Sequence, residues 1–238
     1  MPSSPAAPRP HAGSPLARAT RDGELFLLAL FGCERRGALI DVCHRAGHET
    51  RRLYFAHRDT SAAARTIVAL ALTGEVRVGV APRRLRDRGD VTVERVWALW
   101  VELERPDARA ALEQLPVAPS IVVADGASRV SAYWLLRAPA TPAVAERANR
   151  RLAAQLGAGG GDGTRATAML RPPGTRCWDG PSPAPVVLER LRPAMTTVQA
   201  ATAGIARDPA SVPAAAVAAR SGAPEPAPLG QEPLPAVT

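Results

Sequence analysis

Glu102 and Glu104 stand two residues apart near the end of the run VWALWVELERP, residues 96–106. Residues two apart in a strand share a face, so both carboxylates project the same way. Such a pair suits a hard divalent cation, and a paired-metal site aligns an attacking hydroxyl with a phosphate. The competing reading is a strand end reaching water, with Glu104 near Arg105 and Arg109. On the residues alone the strand end is the simpler explanation.

Four other groups bear chemistry. In VADGASRVSAYWLL (123–136), Asp125–Gly126 is a turn signal between two strands, after which Ser131 and Tyr133 share one face. Tyr133 or Trp134 can stack a base, as in single-strand binders, although an aromatic in an apolar strand is ordinarily core, the reading adopted for Trp134. LGAGGGDGT (156–164) lacks the Gly-Lys-Ser/Thr ending of a phosphate loop and follows a helix pattern, so it reads as a plain loop whose one acid is Asp162. In MLRPPGT (169–175), Arg171 precedes two prolines and a glycine turn. A guanidinium fixed there can clamp a triphosphate or carboxylate through two bonds, or lie on a surface turn. Cys33, Cys43, His44 and His48 match no common zinc spacing, and the order of His11, His44, His48 and His57 supports no Ser-His-Asp triad.

The elements that must position these groups alternate along the chain. LFLLALF (25–31) predicts a strand, and 38–44 with 51–57 a hairpin. Residues 59–74 predict a capped helix, 76–82 a strand, 83–91 a basic turn and 91–104 a long strand ended by Pro106. A short helix (107–115), strands at 120–125 and 130–137, and a helix from the Thr141 cap to Gly157 follow. A last strand falls near PVVLERL. Helices and strands so mixed predict an α+β fold, a mixed or antiparallel sheet with helices packed on it. Residues 1–21 read as a disordered arm, 22–193 as one domain and 194–238 as a disordered Ala/Pro-rich tail.

The 238 residues carry a net charge of +8, all of its cationic side chains Arg and none Lys. Codon bias explains that composition; so does a polyanionic partner, because Arg forks pair with phosphate. Three cysteines without a CxxC pair exclude a disulfide framework. The N-terminus lacks the apolar centre of a signal peptide, and no run is long enough to span a bilayer. A cytoplasmic protein without membrane contact is expected.

In order, VGVAPRRLRDRGD, WALWVELE, PSIVVADGASRVSAYWLL, ANRRLAAQLG and DGTRATAMLRPPGT resemble the primase–polymerase domain of the archaeo-eukaryotic primase superfamily, its RepB-like plasmid and phage branch, over residues 24–192. The resemblance implies an RNA-recognition-motif-like core and a DNA primase activity, two-metal nucleotidyl transfer with Mg²⁺ or Mn²⁺ in a replication or mobile element. It implies single-stranded DNA and nucleoside triphosphates as partners, with any helicase or replication initiator a separate protein. In that family an Asp-x-Asp pair binds the metals, and Glu102 and Glu104 hold those positions here. The family's nucleotide-contacting His, two residues before Tyr-Trp, is Ser131. Its Arg-x-Pro-Gly-Thr is matched by Arg171, Pro173, Gly174 and Thr175, but its following Asn and Lys are replaced among Arg176, Cys177 and Trp178. Asp162 is the candidate third metal ligand, Arg171 the triphosphate clamp, Arg83 and Arg84 the template-phosphate contacts, and Tyr133 a base contact. Because Glu lengthens each metal arm and the His is missing, a catalytically degenerate nucleic-acid-binding accessory module of the same fold is the alternative, and an unrelated α+β interaction protein the third.

Overall fold

The computed structural model describes residues 13–34, 37–85, 91–126, 128–179 and 182–205. Helix α1 (Pro15–Phe31) comes first, then the hairpin of β1 (Ala38–Ala46) and β2 (Glu49–Ala56). Helix α2 (Thr60–Leu70) leads into β3 (Glu75–Gly79), β4 (Arg83–Leu85) and β5 (Val91–Thr92). Next come β6 (Val96–Glu104), α3 (Ala108–Glu113), β7 (Ile121–Asp125), β8 (Arg129–Ala140) and α4 (Pro142–Leu156). A 3-10 turn (Asp162–Thr164), β9 (Met169–Leu170), β10 (Arg176–Cys177), β11 (Ala184–Leu191), β12 (Met195–Thr196) and α5 (Val198–Ala201) complete it.

The α+β class expected from the alternating patterns holds, with two sheets in place of one. The first has the order β5-β4-β1-β3-β9, with β2 along the other edge of β1. The second has the order β10-β11-β7-β8-β12, with β6 along the other edge of β8. All pairings are antiparallel except β12 with β8. On β1 and β3, Ile40, Val42, Val76 and Val78 are buried on the side where α2 packs. The alternate residues, Asp41, Cys43, Arg45, Glu75 and Arg77, belong to the opposite face. One apolar cluster runs through both sheets and includes Phe26, Leu30, Ile40, Trp100 and Trp134.

Three sequence expectations change. LFLLALF is the end of a helix and not a strand: Ser14 caps it, accepting from the Ala17 amide at 3.1 Å, and Pro15 occupies its first turn. Phe26, Leu27, Leu30 and Phe31 then bury one face, whereas Leu28 faces out; a dense apolar run hides that period. Residues 15–21 therefore belong to α1 and not to an arm. At the other end β12 and α5 extend the folded part past 193, where Ala201 and Ile205 are buried. Residues 1–12 and 206–238 of the expected arm and tail, and 86–90 of the basic turn, lie outside the described residues.

The helix expected at 141–157 is α4, although the Thr141 side chain makes no capping hydrogen bond. Pro142 starts α4, and Gly157 ends it at φ 67°, a left-handed conformation that glycine adopts without strain.

Candidate functional site

Register alone places the site. Across β6 and β8, Trp100 lies opposite Tyr133, Glu102 opposite Ser131, and Glu104 opposite Arg129. Strand β7 extends the rows, setting Ile121, Val123 and Asp125 beside Tyr133, Ser131 and Arg129. All these residues share one face of the second sheet. Strand β3 of the first sheet brings Arg77 up to it. Between them is a cleft of about 380 Å³ whose walls include Arg77, Glu102, Glu104, Arg129 and Asp179. The glycine-rich loop 157–163 forms another wall. Buried Asn149 of α4 fastens that loop: its Oδ1 accepts from the Trp100 amide at 3.0 Å, and its Nδ2 donates to the Thr164 carbonyl at 3.2 Å. Trp100 adds a bond from Nε1 to the Gly163 carbonyl at 2.6 Å.

Two arginines organise the charge. Arg129 donates from Nη1 to Asp179 at 2.9 Å and from Nη2 to Glu104 at 3.1 Å. Its Nε lies 3.5 Å from Glu102 Oε1, and its Nη1 3.5 Å from Asp125 Oδ2. Arg171 donates from Nη1 to Asp125 at 2.7 Å, and from Nη2 to Glu75 at 2.7 Å and Asp179 at 2.8 Å. Since Glu75 is in β3 and Asp125 in β7, Arg171 ties the two sheets together. Burial pushes the Glu102 carboxyl above its ordinary range, and Asp125 adds to this, against the opposing pull of Arg129 and Arg77. The bond from Arg129 holds Asp179 below the ordinary range, with Arg171 contributing. Burial would also raise Glu75, but bonds from Arg77 and Arg171 hold it below its ordinary range.

Of the expected residues, Glu102 and Glu104 line the cleft, and Ser131 is buried directly beside Glu102. The others are placed differently. Asp162 is exposed and pairs with Arg165 at 3.1 Å, not with the glutamates. Tyr133 is fully buried, edge-on to Phe26 at 5.4 Å between ring centroids, so no base reaches it. Arg83 is buried, donating to Asp41 and to the Ala166 and Thr167 carbonyls, and so turns away from any template phosphate. Arg84 engages Glu34 and Glu94. Arg171, with a 3% exposed side chain and three carboxylate partners, is a staple and not an open clamp.

Sequence reasoning missed Arg129, Asp125 and Asp179. For Arg129 a signal existed: it lies two residues before Ser131 on the same strand and hence on the same face. For Asp179 there was none.

Three solved structures share this architecture. The AEP domain of the cyanophage S-2L primase–polymerase superposes with a TM-score of 0.56 at 15% identity, over 75% of this chain and 94% of that one. Primase RepB′ gives 0.58 at 14% identity, over 77% of this chain and 62% of that one. The catalytic domain of primase RepB′ in complex with initiator DNA gives 0.59 at 16% identity, over 77% and 93%. The chain has the primase–polymerase fold. No protein-family model matches the sequence, nor does any curated protein.

A primase–polymerase fold implies a divalent metal, and the residues present do not fit one. Mg²⁺ demands near-octahedral oxygen ligands at about 2.0–2.1 Å. Here Arg129 ion-pairs with Glu102 at 3.5 Å and with Glu104 at 3.1 Å, so a cation of the chain itself already engages both carboxylates. Among the described residues no group of three or more His, Cys, Asp or Glu side chains is arranged to hold a metal ion. Nor is any described helix long and apolar enough to cross a membrane.

Proposed function

We propose that this primase–polymerase-like domain binds single-stranded nucleic acid as an accessory of replication and does not itself carry out metal-dependent nucleotidyl transfer. One observation carries the reading: Arg129, a cation built into the same sheet, ion-pairs with both carboxylates that would hold metal. Phosphoryl transfer depends on positioned charge, and a guanidinium cannot bridge an attacking hydroxyl and a phosphate as metal ions do. The second sequence expectation, a degenerate binding module, is thus preferred to an active primase. Polyanion binding is supported by the net charge of +8, by the all-arginine complement, and by the likeness to a primase domain solved with initiator DNA.

The test combines priming and primer-extension assays in Mg²⁺ and in Mn²⁺ with binding of a single-stranded oligonucleotide. The expected result is no product, together with binding that weakens steeply with salt. Product formation abolished by Glu102→Ala overturns the proposal and restores the metal reading. That second reading has one observation in its favour: Glu102 and Glu104 still face the open cleft. A combined variant, Arg129→Gly with Glu102→Asp, Glu104→Asp and Ser131→His, should gain synthesis if the replaced groups alone silence the site.

A further inference from the structure

The nucleic acid needs a path, and the open face of the first sheet supplies the chemistry for one. Alternation along β1, β2 and β3 sets Arg45, Arg52, Tyr54 and Arg77 on that face. Arg52, Cys43 and Arg77 lie side by side across the three strands. Their side chains are exposed, at 61% for Arg45, 50% for Arg52 and 42% for Arg77, whereas the carboxylates that orient them are buried. Glu75 holds Arg45 and Arg77, and Asp41 holds Arg52. The anions are therefore sunk beneath the surface and the cations stand on it, so the face presents positive charge.

Tyr54 gives that charge a specific partner. Among the exposed large apolar side chains of the described residues, Tyr54 and Trp178 are the two aromatics. Across its row lies Asp41, buried and capped by the guanidiniums of Arg52 and Arg83, so cations border the ring on that side. A flat aromatic bordered by arginines is what single-stranded nucleic acid uses: bases stack on the ring and phosphates meet the guanidiniums. Arg77 also forms a wall of the cleft, so the face continues into it.

We infer that this sheet face is a single-strand platform, with Tyr54 stacking a base and Arg45, Arg52 and Arg77 contacting phosphates. The inference rests on the nucleic-acid-binding reading above and assigns it a surface. The experiment measures the affinity of a labelled dT oligonucleotide of about 15 nucleotides by anisotropy across a salt series. A 5-bromodeoxyuridine version is crosslinked, and the attachment site is mapped by mass spectrometry. Tyr54→Ala should weaken binding roughly 5- to 100-fold, Tyr54→Phe should keep it, and the crosslink should fall on the peptide carrying Tyr54. Arg45→Gln with Arg52→Gln should flatten the salt dependence by roughly 0.7 per arginine in log–log slope. Thermal melting confirms that each variant folds. Failure of the unmodified protein to bind dT overturns the binding reading and the platform together. Binding that is indifferent to Tyr54→Ala, with crosslinks elsewhere, overturns the platform alone. Loss on removing the arginines without any effect of Tyr54→Ala makes the face a generic polyanion contact and also overturns the stacking assignment.

Discussion

Arg129 Nε lies 3.5 Å from Glu102 Oε1, while the same guanidinium reaches Asp179 at 2.9 Å and Glu104 at 3.1 Å. Its short bonds go to the two more exposed carboxylates, leaving Glu102 the least compensated member of the cluster. A single cation thus treats its anions unequally, and the titration of the cleft follows from that.

Glu102 should titrate above the ordinary carboxylate range. For an acid whose folded pKa is raised, the folded state binds the proton more tightly, so its contribution to stability falls as pH rises through the interval between the unfolded and folded values. Glu102→Gln removes that loss and should leave the protein at least as stable at neutral pH. Asp179 and Glu75 have the opposite sign: their contributions are present above the unfolded value and are lost as pH falls through the lowered folded value. Carboxyl carbon NMR across an acid titration reads all three.

Arg129→Ser leaves Glu102, Glu104, Asp125 and Asp179 without their shared cation. The expected cost is about 1–2 kcal/mol, discounted because Glu104 and Asp179 are 67% and 47% exposed. Millimolar Mn²⁺ should then raise the melting temperature of the variant and not that of the unmodified protein. A variant indifferent to Mn²⁺ would show that the carboxylates cannot be brought round a metal even when freed.

Asn149→Ala leaves the buried Trp100 amide and the Thr164 carbonyl unpaired. Urea unfolding should show a loss of about 2–4 kcal/mol, larger than for a surface Asn.

Gly174 has φ +84°, and a Cβ there would lie 2.4 Å from the Ala19 carbonyl oxygen. Gly174→Ala should cost about 2–3 kcal/mol, because α1 packs against this turn and backbone must move. Gly204→Ala is the control: φ is +74°, but nothing lies within 4 Å of its Cβ, so only the backbone term of about 1 kcal/mol remains. Equal losses at the two positions would sink the packing argument for the RPPGT turn.

Much of this protein was written in local pattern. Alternation in WALWVELE and SAYWLL set which residues share a face, and the caps at Thr141 and Gly157 bounded α4. From these the α+β class was already legible, as were the shared face of Glu102 and Glu104 and that of Ser131 and Tyr133, since side-chain direction in strands and helices is fixed by the backbone period. What the sequence did not determine were partners across long separations. That Arg171 would join Glu75 to Asp125 depends on how the two sheets stack, that Arg129 would meet two glutamates depends on the register of β6 with β8, and that Asp179 would turn into the cleft depends on where its loop packs. Side-chain charge has no periodicity and pairs through space with whatever packing brings near. Only the tertiary structure therefore decided that the carboxylate pair meets a guanidinium.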